Sequence, residues 1–190
     1  MKNILTFIIF IGLLIVGCGS SEKPAEKKTS AESVNIQQPP LPNNAVKVPN
    51  FTLSTTSGEI VEMKSLLGKV VLVNFWGTWC GPCRAEIPDF VKLYNNHHDQ
   101  GLEIVGITLT SGSPEKIQAF ADQWKMNYTV LTDIKGNETQ EATTVFGQAT
   151  GGPIVGIPTT FLVDRNGYIV KRYLGPRSEK IFYNDIKPYL

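Results

Sequence analysis

Cysteine is scarce in this chain, at three residues in 190. Small scaffolds held by disulfides need several pairs, so the fold must come from a hydrophobic core. Histidine is scarcer still, at two residues. A four-coordinate zinc centre lacks a second Cys-x-x-Cys pair to complete it. Charge of one sign is not in excess, since 18 basic residues stand against 17 acidic ones. With no basic cluster, nothing favours nucleic acid. Nor is there an apolar run of the roughly twenty residues that spans a bilayer as a helix. What is present is ordinary: 42% hydrophobic and 18% charged residues. That suffices for one real core, and the length is too short for two full domains.

The chain opens on Met1, Lys2 and Asn3, then an apolar run from Ile4 to Val16 broken only by Thr6 and Gly12. One positive charge before a short apolar run fits the h-region of a secretory signal. The run ends at Ile15-Val16-Gly17-Cys18, which resembles a bacterial lipobox, with Val16 in place of the usual Ala or Ser. The resemblance implies a signal peptide over 1–17, cleavage before Cys18 and lipidation of Cys18. A plain signal peptide or an uncleaved anchor is the alternative. Each reading places the rest of the chain outside the cytoplasm, in the periplasm or on the outer face of the cell membrane, where disulfides persist. Residues 18–47 are polar and charge-mixed, with Pro39, Pro40 and Pro42 near their end. Lacking an apolar face, they read as a flexible tether.

From residue 48 to 190 the pattern is that of a domain. Phe51–Ser54 and Glu59–Glu62 flank Thr56-Ser57-Gly58 and read as a hairpin. Lys69–Phe75 and Glu103–Leu109 are continuous apolar runs, as in strands buried on both faces. Between them Ile87, Phe90, Val91 and Tyr94 recur at helical spacing, predicting a helix over Cys80–Asn95. Ser113-Pro114 starts a second helix with the stripe Ile117, Phe120, Ala121 and Trp124. A short strand at Tyr128–Leu131 and a helix at Glu138–Phe146 follow. Strands at Thr159–Val163 and Tyr168–Tyr173 flank the turn Asp164-Arg165-Asn166-Gly167, and a helix at Ser178–Tyr189 closes the chain. Strands alternating with helices predict an α/β fold, and the last hairpin makes its sheet mixed.

Trp79-Cys80-Gly81-Pro82-Cys83 falls at the junction of the first long strand and the first helix. There backbone N–H groups and the helix dipole favour negative charge. A thiol in that position has a lowered pKa and is present as thiolate at neutral pH. Cys80, first and more exposed, is the expected nucleophile, and Cys83, one turn in, the resolving thiol. As a structural staple the pair would close too short a loop to constrain much. His97 and His98, at a polar helix end, read as solvated.

The run Phe75-Trp76-Gly77-Thr78-Trp79-Cys80-Gly81-Pro82-Cys83-Arg84-Ala85-Glu86-Ile87-Pro88 resembles the thioredoxin superfamily. It is most similar to membrane-tethered thiol-disulfide oxidoreductases of the TlpA/ResA/CcmG type, with a redoxin or AhpC/TSA-like domain. Val48–Leu53 and Gly156–Asp164 extend the resemblance over residues 48–190. It implies a thioredoxin-like three-layer fold, with a central mixed sheet flanked by helices and an N-terminal β-hairpin extension. It implies no cofactor beyond the Cys80–Cys83 redox pair, and no metal. Pro158 corresponds to the cis-proline that faces the Cys-x-x-Cys pair. Ile157 would pair through its backbone with an extended substrate, alongside contacts from Trp79, Gly81 and Pro82. Pro88 would kink the first helix. Asn74 stands where thioredoxin has a buried Asp, and an amide does no acid–base work. Glu86 matches an active-site Glu of ResA-like proteins and is the candidate proton shuttle for Cys83. Its alternative is an exposed helix Glu near Arg84.

The implied partners are disulfide-bearing exported proteins, apocytochrome c among them, a membrane thiol donor of the CcdA/DsbD type, and the membrane through a lipid anchor. The implied direction is reductive. An oxidase or isomerase of the same fold is the alternative, as is a non-enzymatic binding or copper-delivery module. The copper reading lacks a late histidine, since none follows His98. A thiol peroxidase reading lacks its Pro-x-x-x-Thr-x-x-Cys pattern, because Val73 stands where the proline belongs and Thr78 is only two residues before Cys80. The departure from the family is residues 147–156, with four glycines, longer than usual before the proline loop. They are expected to form a substrate-facing rim or a passive insertion.

Overall fold

The computed structural model describes residues 38–190. The signal segment and Cys18 lie outside the described residues. Eight strands form one mixed sheet: β1 (Val46–Lys47), β2 (Thr52–Thr55), β3 (Ile60–Glu62), β4 (Val70–Trp76), β5 (Leu102–Thr108), β6 (Thr129–Thr132), β7 (Thr159–Val163) and β8 (Tyr168–Leu174). Four helices accompany them: α1 (Gly81–His97), α2 (Pro114–Gln123), α3 (Glu138–Ala149) and α4 (Glu179–Ile186). The strand order is β1-β8-β7-β4-β5-β6-β2-β3. β4, β5 and β6 run parallel; on one side β7 is antiparallel to β4 and β8 to β7, and on the other β2 is antiparallel to β6 and β3 to β2.

The two central strands are buried at every residue, which is why their sequences show no alternation. Period-two geometry still sorts their side chains into two cores. Val71, Val73 and Phe75 face Ala142 and Phe146 of α3, with Phe161 stacked edge-on against Phe75. Val70 and Leu72 face Phe90 and Leu93 of α1 and Phe182 and Ile186 of α4. Trp76 continues that second face over Ile87 of α1 and Ile117 and Ala121 of α2. So α3 covers one face of the sheet, and α1, α2 and α4 cover the other. Burying each of these large side chains contributes roughly 1.5–3 kcal/mol.

Several boundaries differ from the sequence reading. Val46–Lys47, placed in the tether, pairs with Ile169 and Tyr168 as an edge strand. α3 extends to Ala149, so Gly147, Gln148 and Ala149 are its last turn and not part of a loop. Gly147 is tolerated there because Gly152 and Pro153 pack directly against it. The last helix stops at Ile186, short of the expected Tyr189, whose backbone oxygen bonds Arg165 instead. Ser113 occupies the N-cap of α2, yet its hydroxyl does not bond a helix amide. His97 is not simply solvated, because its ring stacks on Tyr183 at 4.5 Å. Among the described residues no helix is long and apolar enough to cross a membrane.

Candidate active site

β4 ends at Trp76, and a tight turn delivers Cys80 to the N-cap of α1. The turn is braced by Thr78 N–H donating to Ser111 Oγ at 3.1 Å and by Arg84 Nη1 donating to the Thr78 carbonyl at 3.2 Å. Cys80 and Cys83 are joined as a disulfide, and the Cys83 N–H donates to Cys80 Sγ at 3.2 Å. That amide, with the positive end of a 17-residue helix, is what would hold a Cys80 thiolate once the bond is reduced. Pro82, near the start of the helix, costs no hydrogen bond there. Gly81 and Pro82 are both exposed between the two sulfurs.

The expected contrast in exposure between the two cysteines is slight. Cys80 is 5% exposed and Cys83 3%. Ile157 covers Cys80, its carbonyl oxygen lying 3.7 Å from Sγ. The Ile157–Pro158 bond is cis, as the resemblance implies, and Pro158 is buried. Trp79 takes the opposite role to Trp76. It is 59% exposed, with its indole N–H donating to the Leu109 carbonyl at 3.3 Å. Trp76 is buried in the same apolar cluster as the two cysteines, and its indole N–H finds no partner.

Glu86 is 2% exposed, which removes the alternative of a solvated helix carboxylate. It lies one turn past Cys83 on the inward face of α1. Asn74 of β4 and Thr160 of β7 are paired across the sheet beside it, and Asn74 Nδ2 donates to Thr160 Oγ1 at 2.9 Å. The same Nδ2 reaches Glu86 Oε2 at 3.5 Å. The Arg177 backbone N–H donates to Glu86 Oε1 at 2.8 Å. Burial pushes the Glu86 carboxyl up to about 8, and the Asp89 carboxylate adds to that. The Arg177 amide and charge oppose it without prevailing. The buried Tyr128 phenol is in turn pushed up by burial and by the Glu86 carboxylate.

Thr160 and Arg177 were not singled out in the sequence. Thr160 follows the cis-proline motif by two residues, a signal that could have found it. Arg177 acts through its main chain, which no residue type announces. The Gly175 N–H donates to the Pro158 carbonyl at 2.8 Å, so one short loop after β8 touches both the cis-proline and, through Arg177, Glu86.

A dithiol–disulfide pair at a helix N-terminus, faced by a cis-proline and backed by a buried carboxyl, defines a thiol-disulfide oxidoreductase of the thioredoxin fold. Comparisons with known proteins agree. The AhpC/TSA family profile matches residues 45–172, and the chain belongs to that family. It is 36% identical over 143 residues to the thiol-disulfide oxidoreductase ResA of Halalkalibacterium halodurans, covering 73% of this chain and 74% of the relative. It is 32% identical over 170 residues to the thioredoxin-like protein YneN of Bacillus subtilis, covering 88% of this chain and 89% of that one. Among solved structures, a thiol:disulfide interchange protein of Chlorobium tepidum superposes with a TM-score of 0.67 at 31% identity, over 76% of this chain and 95% of that one. The protein is a thiol-disulfide oxidoreductase of the ResA/DsbE type.

Proposed function

We propose that the protein is an extracytoplasmic reductase, tethered through a lipidated Cys18, that delivers two electrons to disulfides of exported proteins. The Cys80 thiolate attacks one sulfur of the partner disulfide, forming a mixed disulfide and releasing the partner's other sulfur as a thiolate. The Cys83 thiolate then attacks Cys80 Sγ, which re-forms Cys80–Cys83 and frees the second partner thiolate. Both partner thiolates take protons from solvent. Glu86 exchanges the Cys83 proton: its carboxylate receives it during this step. Its neutral form returns the proton when a membrane thiol donor of the CcdA/DsbD type reduces the pair. Trp79, Gly81, Pro82 and the Ile157 backbone line the approach to Cys80. Apocytochrome c, whose haem-binding cysteines must be reduced, is the substrate the family suggests.

The observation that carries this reading is the Cys80–Cys83 pair at the N-terminus of α1, faced by the cis Ile157–Pro158 bond and backed by the buried Glu86 one turn past Cys83. The test is a redox titration of the full chain with thiol alkylation as readout. A potential near the roughly −270 mV of thioredoxin supports the reductase, and one near the roughly −120 mV of DsbA would make the protein a disulfide donor. Cys83→Ser should trap a mixed disulfide on Cys80. Its absence with every disulfide-bearing partner would remove Cys80 as the nucleophile.

A further inference from the structure

The segment from Gly151 to Gly156, between α3 and the cis-proline, is fastened tightly. The Gly152 N–H donates to the Gly147 carbonyl at 3.0 Å. A side chain on Gly147 would come within 3.1 Å of Pro153 Cα, so glycine is what allows the chain to fold back on α3. Arg172 of β8 donates from Nη2 to the Pro153 carbonyl at 3.0 Å and from Nη1 to the Gly152 carbonyl at 3.4 Å. Ile154 packs into the core under α3. Within this pinned segment Val155 is 75% exposed. Its exposure is therefore not a product of slack chain.

Val155 stands two residues before Ile157, whose carbonyl meets Cys80 Sγ at 3.7 Å. Beside it, Leu174 of β8 is 53% exposed and lies opposite Thr159 in the sheet register. Its Cδ1 is 3.8 Å from where a Cβ on Gly156 would be. On the other side of the disulfide stands Trp79. The three exposed apolar side chains thus flank a nucleophile that is itself only 5% exposed. The surroundings carry little free charge. No ionisable residue occurs between Glu141 and Asp164. The guanidinium of Arg172 is turned onto backbone carbonyls and over the Phe161 ring, and that of Arg177 onto the carbonyls of Gly175 and Pro176.

The geometry points to Val155 and Leu174 as a specificity lip that selects partner segments carrying an uncharged apolar residue within two positions of the attacked cysteine. This rests on the reading that Cys80 reduces protein disulfides. A chain extends about 3.3 Å per residue, so the neighbours of a cysteine bonded to Cys80 must lie over Trp79 on one side or this lip on the other. Exposed apolar groups rimming a functional site gain free energy only when a partner covers them. The occupant is an extended polypeptide, continuous with the redox site.

The test uses the reduced full chain and three disulfide peptides that differ only in the residues flanking the attacked cysteine: Leu, Ser or Glu. Each rate is divided by that for 2-hydroxyethyl disulfide, which is too small to reach the lip, measured on the same variant. The Leu peptide is expected to react about 10-fold faster than the Ser or Glu peptides, equivalent to covering about 55 Å² of apolar surface at roughly 25 cal/mol per Å². Val155→Ser and Leu174→Ser should each bring that preference down to about 3-fold, and Val155→Leu should preserve it. A preference that is absent, or equal in all variants, overturns the lip while leaving the redox site standing. Failure to reduce even 2-hydroxyethyl disulfide overturns the redox reading itself. A sedimentation mass that falls from dimer to monomer in Val155→Ser overturns the assignment in favour of a second copy of this chain.

Discussion

A glutamate on a helix ordinarily titrates near 4.5, and Glu86 is held at about 8. The cause is local: burial removes water from the carboxyl, and the two donors that reach it, Asn74 Nδ2 and the Arg177 backbone N–H, are too few to replace it. The consequence for stability has a definite sign. Between pH 4.5 and 8 the folded protein binds a proton here that the unfolded chain does not, so stability is full below the lower value and falls as pH rises through the upper one. Glu86→Gln, neutral throughout, should not show that fall. Urea titrations of the oxidised proteins across this window should diverge by on the order of a few kcal/mol, with the wild type the less stable at the alkaline end. Parallel curves would mean that Glu86 is ionised in the fold. The same substitution should slow single-turnover reduction of the Cys80–Cys83 pair by about 10²-fold, the scale of a lost general acid. It should also remove a rate inflection near pH 8, which stopped-flow fluorescence would read.

At the scale of elements, the long strands were legible because burial on both faces leaves an unbroken apolar run, and a run needs no long-range information. The Cys80–Cys83 turn was legible for a related reason, since it sits between one such run and one helical stripe. Helix ends were less so. α3 continues past Phe146 because Gly152 and Pro153 fold onto Gly147, a contact between residues whose sequence alone reads as loop. The environment of Glu86 was hidden because Asn74, Thr160 and Arg177 come to it from β4, β7 and the loop after β8. Gly106 is a comparable case. It is a glycine in the middle of β5, where glycine ordinarily weakens a strand. A Cβ there would lie 2.8 Å from Trp76 Nε1. The glycine is what lets the indole close over the disulfide from the end of β4. Gly106→Ala should cost about 1–3 kcal/mol by displacing that ring. Because Trp76 shares the apolar cluster of Cys80 and Cys83, the variant should also alter the tryptophan fluorescence difference between oxidised and reduced protein. An unchanged urea midpoint together with an unchanged fluorescence difference would show that the ring has room to move.

Across the whole molecule, the end of the sheet remote from the disulfide is gathered by a single side chain. Arg165 sits in the Asp164–Gly167 turn between β7 and β8, where sequence reading finds a turn and no further role. Its Nη1 donates to the Gly68 carbonyl at 2.8 Å, ahead of β4, and its Nη2 to the Gln100 carbonyl at 2.9 Å, ahead of β5. Its Nε and Nη2 also reach the backbone oxygens of Tyr189 and Leu190 at 3.0 and 2.8 Å, beyond α4. Gly101, at φ +94°, leaves the room, since a Cβ there would meet the guanidinium at 2.8 Å. The planar fork of arginine matches four backbone oxygens in a way that the single ammonium of lysine cannot. Arg165→Lys should therefore recover little of what Arg165→Ala loses. With the group partly open to solvent, the loss should be about 2–3 kcal/mol in the urea midpoint, with an unchanged slope. The loss should be felt through the fold and not at the chemistry. Amide exchange should accelerate in α4 and at the start of β4 and β5, while the reactivity of the Cys80–Cys83 pair at the opposite end stays as it was. If the pair's reduction potential moves with Arg165→Ala, the two ends of the sheet are coupled, and the redox site is not the rigid platform that its burial implies.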